Sequence, residues 1–146
     1  MGGVTAVRTA IVRSDPITVS YEVMNGWTVL EVDGEVDVYT HAGMREAVDR
    51  LLGEGHRCFV LDLCPASFLD SMGLGAVVAI TRRIRALAGS LRIACPSPQL
   101  LRLFECGGLR DVYEFYDSPQ EAARQAPASD GSDGLAGRPG TRPSSA

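Results

Sequence analysis

The sequence predicts an α/β domain: a mixed sheet of about five strands with about four helices, in the order β-β-α-β-α-β-α-β-α. Three observations predict it. An alternating strand pattern turns at Asn25-Gly26, the strongest short hairpin signal, and returns as a second strand. After the hairpin, strand-like apolar runs alternate with stretches of helical period, the pattern of parallel strands joined by right-handed crossovers. Finally, 146 residues with 45% apolar content suffice for one domain with its own core.

The elements follow in chain order. Residues 1–15 show no clear period and are expected as a flexible lead. Ile17 to Val23 alternates apolar and polar residues, and Trp27 to Val32 returns antiparallel to it. Asp33 to Asp37 reads as a turn. From about Thr40 to Leu52, Met44, Ala47, Val48, Leu51 and Leu52 recur at the spacing of one buried helix face, and Gly53 and Gly55 stop the helix. Arg57 to Leu63 is richer in apolar residues than the hairpin, hence a more central strand.

A turn ending in Asp70-Ser71 opens the next helix, with Leu74, Val77, Val78, Ile84 and Leu87 along one face. Arg82, Arg83 and Arg85 lie towards its end, where the helix dipole favours cations. Leu91 to Cys95 is a fourth strand. Pro96-Ser97-Pro98 opens a short helix whose apolar side is Leu100, Leu101 and Phe104, ended by Gly107-Gly108. Val112 to Tyr116 is a fifth strand. Ser118-Pro119 starts a last helix, with Glu121 at capping-box spacing, running to about Gln125. From Pro127 onward the chain is Gly, Ser, Pro, Ala and Asp, which cannot bury a face and is expected to be disordered. The expected organisation is thus a lead over 1–15, a folded domain over 16–126 and a tail over 127–146.

Composition excludes several function classes. A net charge of −4 and a pI near 5.1 argue against nucleic acid or an anionic membrane as the main partner. No apolar run approaches a membrane span, and the first residues lack the plan of a signal peptide. Cys58, Cys64, Cys95 and Cys106 match no zinc spacing and sit in or beside apolar runs, so buried free thiols in a cytoplasmic protein are expected. No ligand pair suggests a metal site, and no phosphate-binding loop is present, so no cofactor is expected. Gly73-Leu74-Gly75 fits a dinucleotide fingerprint poorly, because its last position is Val78 and it lies well beyond the preceding strand.

The chemistry therefore centres on Ser71. A hydroxyl delivered by a strand to a helix start can be a nucleophile, a phosphate ligand, a phosphate acceptor or a cap. A hydrolase would need a glycine elbow with a histidine and a carboxylate. Leu69-Asp70 precedes Ser71 instead, and only His41, in the first helical turn, and His56, expected to be solvated, are available. On the residues alone, Asp70-Ser71 reads as a helix cap, as do Asp37 and Thr40, and Gly73 and Gly75 read as close packing of helix on sheet.

Asp70-Ser71-Met72-Gly73-Leu74-Gly75, following a strand that ends Leu61-Asp62-Leu63, resembles the signature of the bacterial anti-sigma-factor antagonists, the STAS domain family. Gly34-Glu35-Val36-Asp37-x-x-Thr40 resembles the same family's G-E-[LV]-D-x-x-T turn. Pro98-x-x-x-Arg102-Leu103-Phe104-x-x-x-Gly108-Leu109 is a weaker third match. The resemblance covers about residues 17–124 and implies a single STAS-like domain.

It also implies a function that is not enzymatic. Such a protein, when unphosphorylated, captures an anti-sigma factor that is a serine kinase of the histidine-kinase-like ATPase fold, and so frees a sigma factor. The kinase phosphorylates the serine, here Ser71, and a PP2C-type phosphatase reverses it. Asp37, Thr40, Asp70, Ser71, Met72, Gly73 and Leu74 would line the partner surface. Met72 departs from the family, which usually carries Ser or Thr there, and this removes a second acceptor hydroxyl. The alternative is a STAS module that works without phosphorylation, as a scaffold or small-ligand binder.

Overall fold

The computed structural model describes residues 9–14, 17–94 and 97–127. The expected tail, Pro127 excepted, lies outside them. The order of elements is β1 (Thr9–Ser14), β2 (Ile17–Met24), β3 (Trp27–Val36), α1 (His41–Gly53), β4 (Cys58–Asp62), β5 (Ala66–Leu69), α2 (Ser71–Ala86), β6 (Ser90–Ala94), α3 (Pro98–Cys106), β7 (Phe115–Tyr116) and α4 (Pro119–Ala122). The α/β class, the mixed sheet and, among the described residues, the four helices are as expected, but those residues form seven strands instead of five.

The sheet runs β1-β2-β3-β4-β6-β7, with β5 paired to the far half of β3. β1, β2 and β3 are antiparallel, and the Asn25-Gly26 turn has positive φ at both residues (52° and 86°), which matches the twist of the hairpin. The β3–β4, β4–β6 and β6–β7 pairs are all parallel, as the helical crossovers require.

The two extra strands have physical reasons. β1 falls in the expected lead and is recruited by the free edge of β2. β5 falls where a turn was expected. It exists because β3 does not stop at Asp33-Gly34: the strand passes through Gly34 in a positive-φ conformation (117°), shifts register there, and offers Glu35 and Val36 to Phe68 and Leu69. The fifth expected strand, by contrast, shrinks to Phe115–Tyr116. Tyr113 instead turns inward, its hydroxyl 2.7 Å from Thr81 Oγ1. Since Thr81 donates to the Val77 carbonyl at 2.7 Å, the Tyr113 hydroxyl is the donor of the pair.

One face of the sheet carries the main core. Leu30, Val32, Leu61 and Ile93 meet Met44, Ala47, Val48, Leu51 and Leu52 of α1 and Leu74, Val77, Ile80 and Ile84 of α2, all essentially inaccessible. The α1 face is the one expected. In α2, Val78 is only half-buried and Leu87 is exposed, because Leu87 is the residue that ends the helix. In α3, Leu100 and Phe104 are buried while Leu101 stays half-buried, and Ser97 Oγ accepts the Leu100 N–H at 3.2 Å.

The other face carries a smaller core of Trp27, Val29, Val60 and Ala94 under Ala122 and Ala123. Ser118 caps α4 as expected, its Oγ accepting the Glu121 N–H at 3.1 Å. The helix stops at Ala122, short of Gln125, because side chains from distant strands take its last carbonyls. Arg92 donates to Ala122 O (2.8 Å), Asn25 to Ala123 O and Arg124 O (2.8 and 2.9 Å), and Trp27 Nε1 to Gln125 O (2.8 Å). The Arg92 guanidinium also stacks on the Trp27 ring, 4.4 Å from its centroid.

The cysteines depart from expectation. Cys58 is a half-buried free thiol that burial pushes upward in pKa, but Cys106 is free and exposed on the last turn of α3. Cys64 lies just beyond the buried run of β4, is exposed, and is disulfide-bonded. Cys95 lies outside the described residues.

Candidate functional site

The site is built where β3 and β5 end together. Val36 and Leu69 are paired, and the Val36 carbonyl accepts the Asp70 N–H at 3.2 Å. Asp70 then caps α2: its Oδ1 accepts the Gly73 N–H at 2.9 Å, and its carbonyl accepts the Leu74 N–H at 2.8 Å. The sequence left open which of Asp70 and Ser71 is the cap. Asp70 fills that role, so Ser71 becomes the first helical residue. Ser71 is exposed, and its hydroxyl makes no hydrogen bond among the described residues. The N–H groups of Ser71 and Met72 stand in the first turn, where a helix has no acceptors of its own.

Gly73 lets this happen. A Cβ there would lie 2.6 Å from Leu69 Cδ1 and 2.7 Å from the Val36 carbonyl oxygen. Only a residue without a side chain brings the first turn of α2 this close to the ends of β3 and β5.

The second part of the site is the loop from β3 to α1. Asp37 Oδ1 accepts the N–H groups of Tyr39 (2.9 Å) and Thr40 (3.1 Å). Thr40 is buried; its hydroxyl donates to the Glu35 carbonyl at 2.6 Å and accepts the Asp37 N–H at 2.9 Å. Thr40 precedes α1 but makes no side-chain cap of it. These bonds, the Tyr39 N–H foremost, hold the Asp37 carboxyl below its ordinary value of 3.8 despite some desolvation. With the folded pKa depressed, the ionised carboxylate stabilises the loop fully above the unfolded value and stops doing so as pH falls through the folded one. The difference in unfolding temperature between wild type and Asp37→Asn is therefore expected to be present at about pH 6 and to close below about pH 3.8, in thermal melts over that range. A gap that widened in acid would contradict this.

Of the residues expected to line a partner surface, Ser71 and Met72 are exposed and Asp37 and Asp70 half-buried. Thr40, Gly73 and Leu74 are buried and act on the surface only by shaping it. Sequence reasoning missed Val38, Tyr39 and Phe68, which are exposed at this same end. The sequence shows apolar residues inside the Asp37–Thr40 turn and a Phe just ahead of Leu69, but not that they are exposed.

His56 is half-buried, not solvated: its Nδ1 lies 2.6 Å from Thr28 Oγ1 and its ring meets Tyr21 edge-on. Thr28 and Val36 are at opposite ends of β3, so His56 stands about 25 Å of strand away from Ser71. His41 Nδ1 is buried without a hydrogen-bond partner, and neither histidine bonds to the Ser71 hydroxyl among the described residues. A cleft of about 350 Å³ opens at the His56 end, lined by Thr28, Glu54, Arg57 and Cys58. Among the described residues, no group of three or more His, Cys, Asp or Glu gathers as a metal site, and no helix is long and apolar enough to cross a membrane.

Comparison with known proteins agrees with this geometry. The STAS domain family profile matches residues 18–122, and the chain belongs to that family. It is 33% identical over 86 residues to the anti-sigma-B factor antagonist of Bacillus subtilis (strain 168), across 59% of this chain and 78% of that one. Its fold matches the crystal structure of an anti-sigma factor antagonist from Mycobacterium paratuberculosis with a TM-score of 0.68 at 24% identity, covering 78% of this chain and 97% of the other. It also matches the Bacillus cell fate determinant SpoIIAA in its phosphorylated form, with a TM-score of 0.60 at 25% identity, over 73% and 96% of the two chains.

Proposed function

We propose that this protein is an anti-sigma factor antagonist whose unphosphorylated form binds an anti-sigma factor serine kinase in the cytoplasm, releasing a sigma factor, and that Ser71 is the kinase's acceptor. One observation supports this above the others. The neighbouring Asp70 has taken over helix capping, which leaves the Ser71 hydroxyl exposed and, among the described residues, free of hydrogen bonds, in a chain related to an anti-sigma-B factor antagonist. That a related antagonist has been solved in a phosphorylated form is consistent with it.

In the transfer, Ser71 Oγ forms a bond to the γ-phosphorus of ATP, the bond from that phosphorus to ADP breaks, and the hydroxyl proton passes to a base on the kinase. This chain supplies the nucleophilic oxygen and its position, and no catalysis of its own. A PP2C-type phosphatase would return the hydroxyl by hydrolysis.

The test is incubation with ATP and the purified anti-sigma factor kinases of the same organism. The intact mass is expected to rise by one phosphate on wild type and not on Ser71→Ala, and Ser71→Ala is expected to stay kinase-bound in the presence of ATP. Phosphate on the Ser71→Ala protein, or none on wild type with any such kinase, would overturn the proposal.

A further inference from the structure

Seven large apolar side chains stand out of the described surface: Val23, Val38, Tyr39, Phe68, Met72, Leu87 and Val112. Four of the seven, Val38, Tyr39, Phe68 and Met72, belong to the segments that meet at Ser71. Tyr39 is the extreme case at 88% exposed. Scattered single apolar residues need no explanation, but a cluster at one end of a sheet does.

The backbone that carries Tyr39 is not loose. Its N–H is held by Asp37 Oδ1, the next N–H by the same oxygen, and the turn is nailed down from beneath by the buried Thr40 hydroxyl. Phe68 is held in register by its pairing with Glu35 and is followed by the buried Leu69. Both aromatic rings are thus offered to solvent from fixed backbone, so little backbone entropy is lost when they are covered. Rigid, exposed aromatic residues beside a functional group have the character of binding hot spots. Glu35, exposed and paired with Phe68, adds a carboxylate at this patch, while Asp37 Oδ1 and Asp70 Oδ1 accept backbone N–H groups.

Resting on the kinase-binding reading above, we infer that Tyr39 and Phe68 are the anchors that seat the anti-sigma factor kinase on Ser71, and that Asp37 and Thr40 serve that contact by positioning Tyr39. The occupant is the kinase because the aromatic pair is continuous with the acceptor it must reach. Its complementary surface is an apolar recess with a basic residue facing Glu35. Met72 extends the apolar area on the far side of the serine with a side chain that adapts its shape.

The experiment uses the full chain and the purified anti-sigma factor kinase that phosphorylates it, with affinity measured in the presence of ADP. Tyr39→Ala and Phe68→Ser are each expected to weaken binding at least tenfold, Tyr39→Phe to restore it to within threefold, and both Tyr39 variants to keep the wild-type unfolding temperature, since that residue is 88% exposed. Asp37→Ala is expected to weaken binding as well, yet to add less than threefold when combined with Tyr39→Ala, because it acts through that ring. If wild type binds and Tyr39→Ala loses less than tenfold, the anchor assignment is overturned while the kinase reading stands. If Asp37→Ala and Tyr39→Ala multiply in full, the positioning role is overturned. Should Tyr39→Ala instead dissociate a dimer of the free chain, the surface belongs to a second copy and the assignment falls. Wild type that no such kinase binds overturns both readings together.

Discussion

On the kinase reading proposed above, the protein once phosphorylated on Ser71 is expected to bind the kinase at least a hundredfold more weakly, about 3 kcal/mol, while its unfolding temperature moves by only a few degrees. The two halves of this result have separate causes. Phosphorylation adds about 1.5–2 negative charges and three acceptor oxygens. Within the fold, that charge sits at the positive end of the α2 dipole, beside first-turn N–H groups that have no helical acceptor, which is a favourable place for an anion. Asp70 and Asp37 nearby oppose it, and the group is in water, so neither effect is large for the free domain. In the proposed complex the same charge would have to be buried against a surface that accepts an uncharged hydroxyl. Titration calorimetry on the phosphorylated and unmodified chains, with melts of each alone, checks both halves. Loss of binding accompanied by a collapse of the unfolding temperature would mean that the switch works by unfolding the domain instead.

The second large effect is on stability. Gly73→Val is expected to lower stability by about 3 kcal/mol and the unfolding temperature by more than about 10 °C, whereas Gly75→Ala, two residues along the same helix, is expected to raise it slightly. At Gly73 the added atoms meet a backbone carbonyl and a buried leucine methyl at 2.6–2.7 Å, and neither can withdraw without parting β3 from α2. At Gly75 a Cβ meets nothing within 4 Å, so the gain is helix propensity alone, about 0.5–1 kcal/mol. Thermal or urea unfolding of the two variants decides it, and equal effects would show that the close approach at Val36 is not what selects glycine.

How much of this could be read from the residues depended on where local and long-range forces agree. Asn25-Gly26, the α1 stripe from Met44 to Leu52 and the Ser118 cap are local rules, and each appears as expected. β5 was illegible because Ala66-Ser67-Phe68-Leu69 is short and has an outward Phe; only the continuation of β3 past Gly34 makes it a strand. β1 likewise exists by virtue of an edge that the sequence does not announce. Val112 and Tyr113 alternate like a strand, but Thr81 draws Tyr113 inward and the strand is lost. At the site, the Asp70-Ser71 pair was visible, yet which of two adjacent capping residues caps is a one-residue question of frame, settled by the approach of Gly73 to Val36. The exposed trio Val38, Tyr39 and Phe68 escaped notice because exposure depends on what the rest of the chain leaves uncovered.

The fastening of α4 bears on how the molecule is made. Asn25 and Trp27 are joined to carbonyls 98 or 99 residues later in the chain. A chain that emerges from the ribosome N-terminus first therefore completes its hairpin early, but cannot close the second sheet face until Ala122 to Gln125 have been synthesised. Until then Trp27, Val29 and Val60 form an apolar sheet face open to water, the kind of patch that associates with other chains. Ala122 to Gln125 thus act as a seal applied after the strands of that face have formed. A chain truncated before Pro119 would leave that seam open for its lifetime, which makes the segment up to α4 a sensitive place for a premature stop.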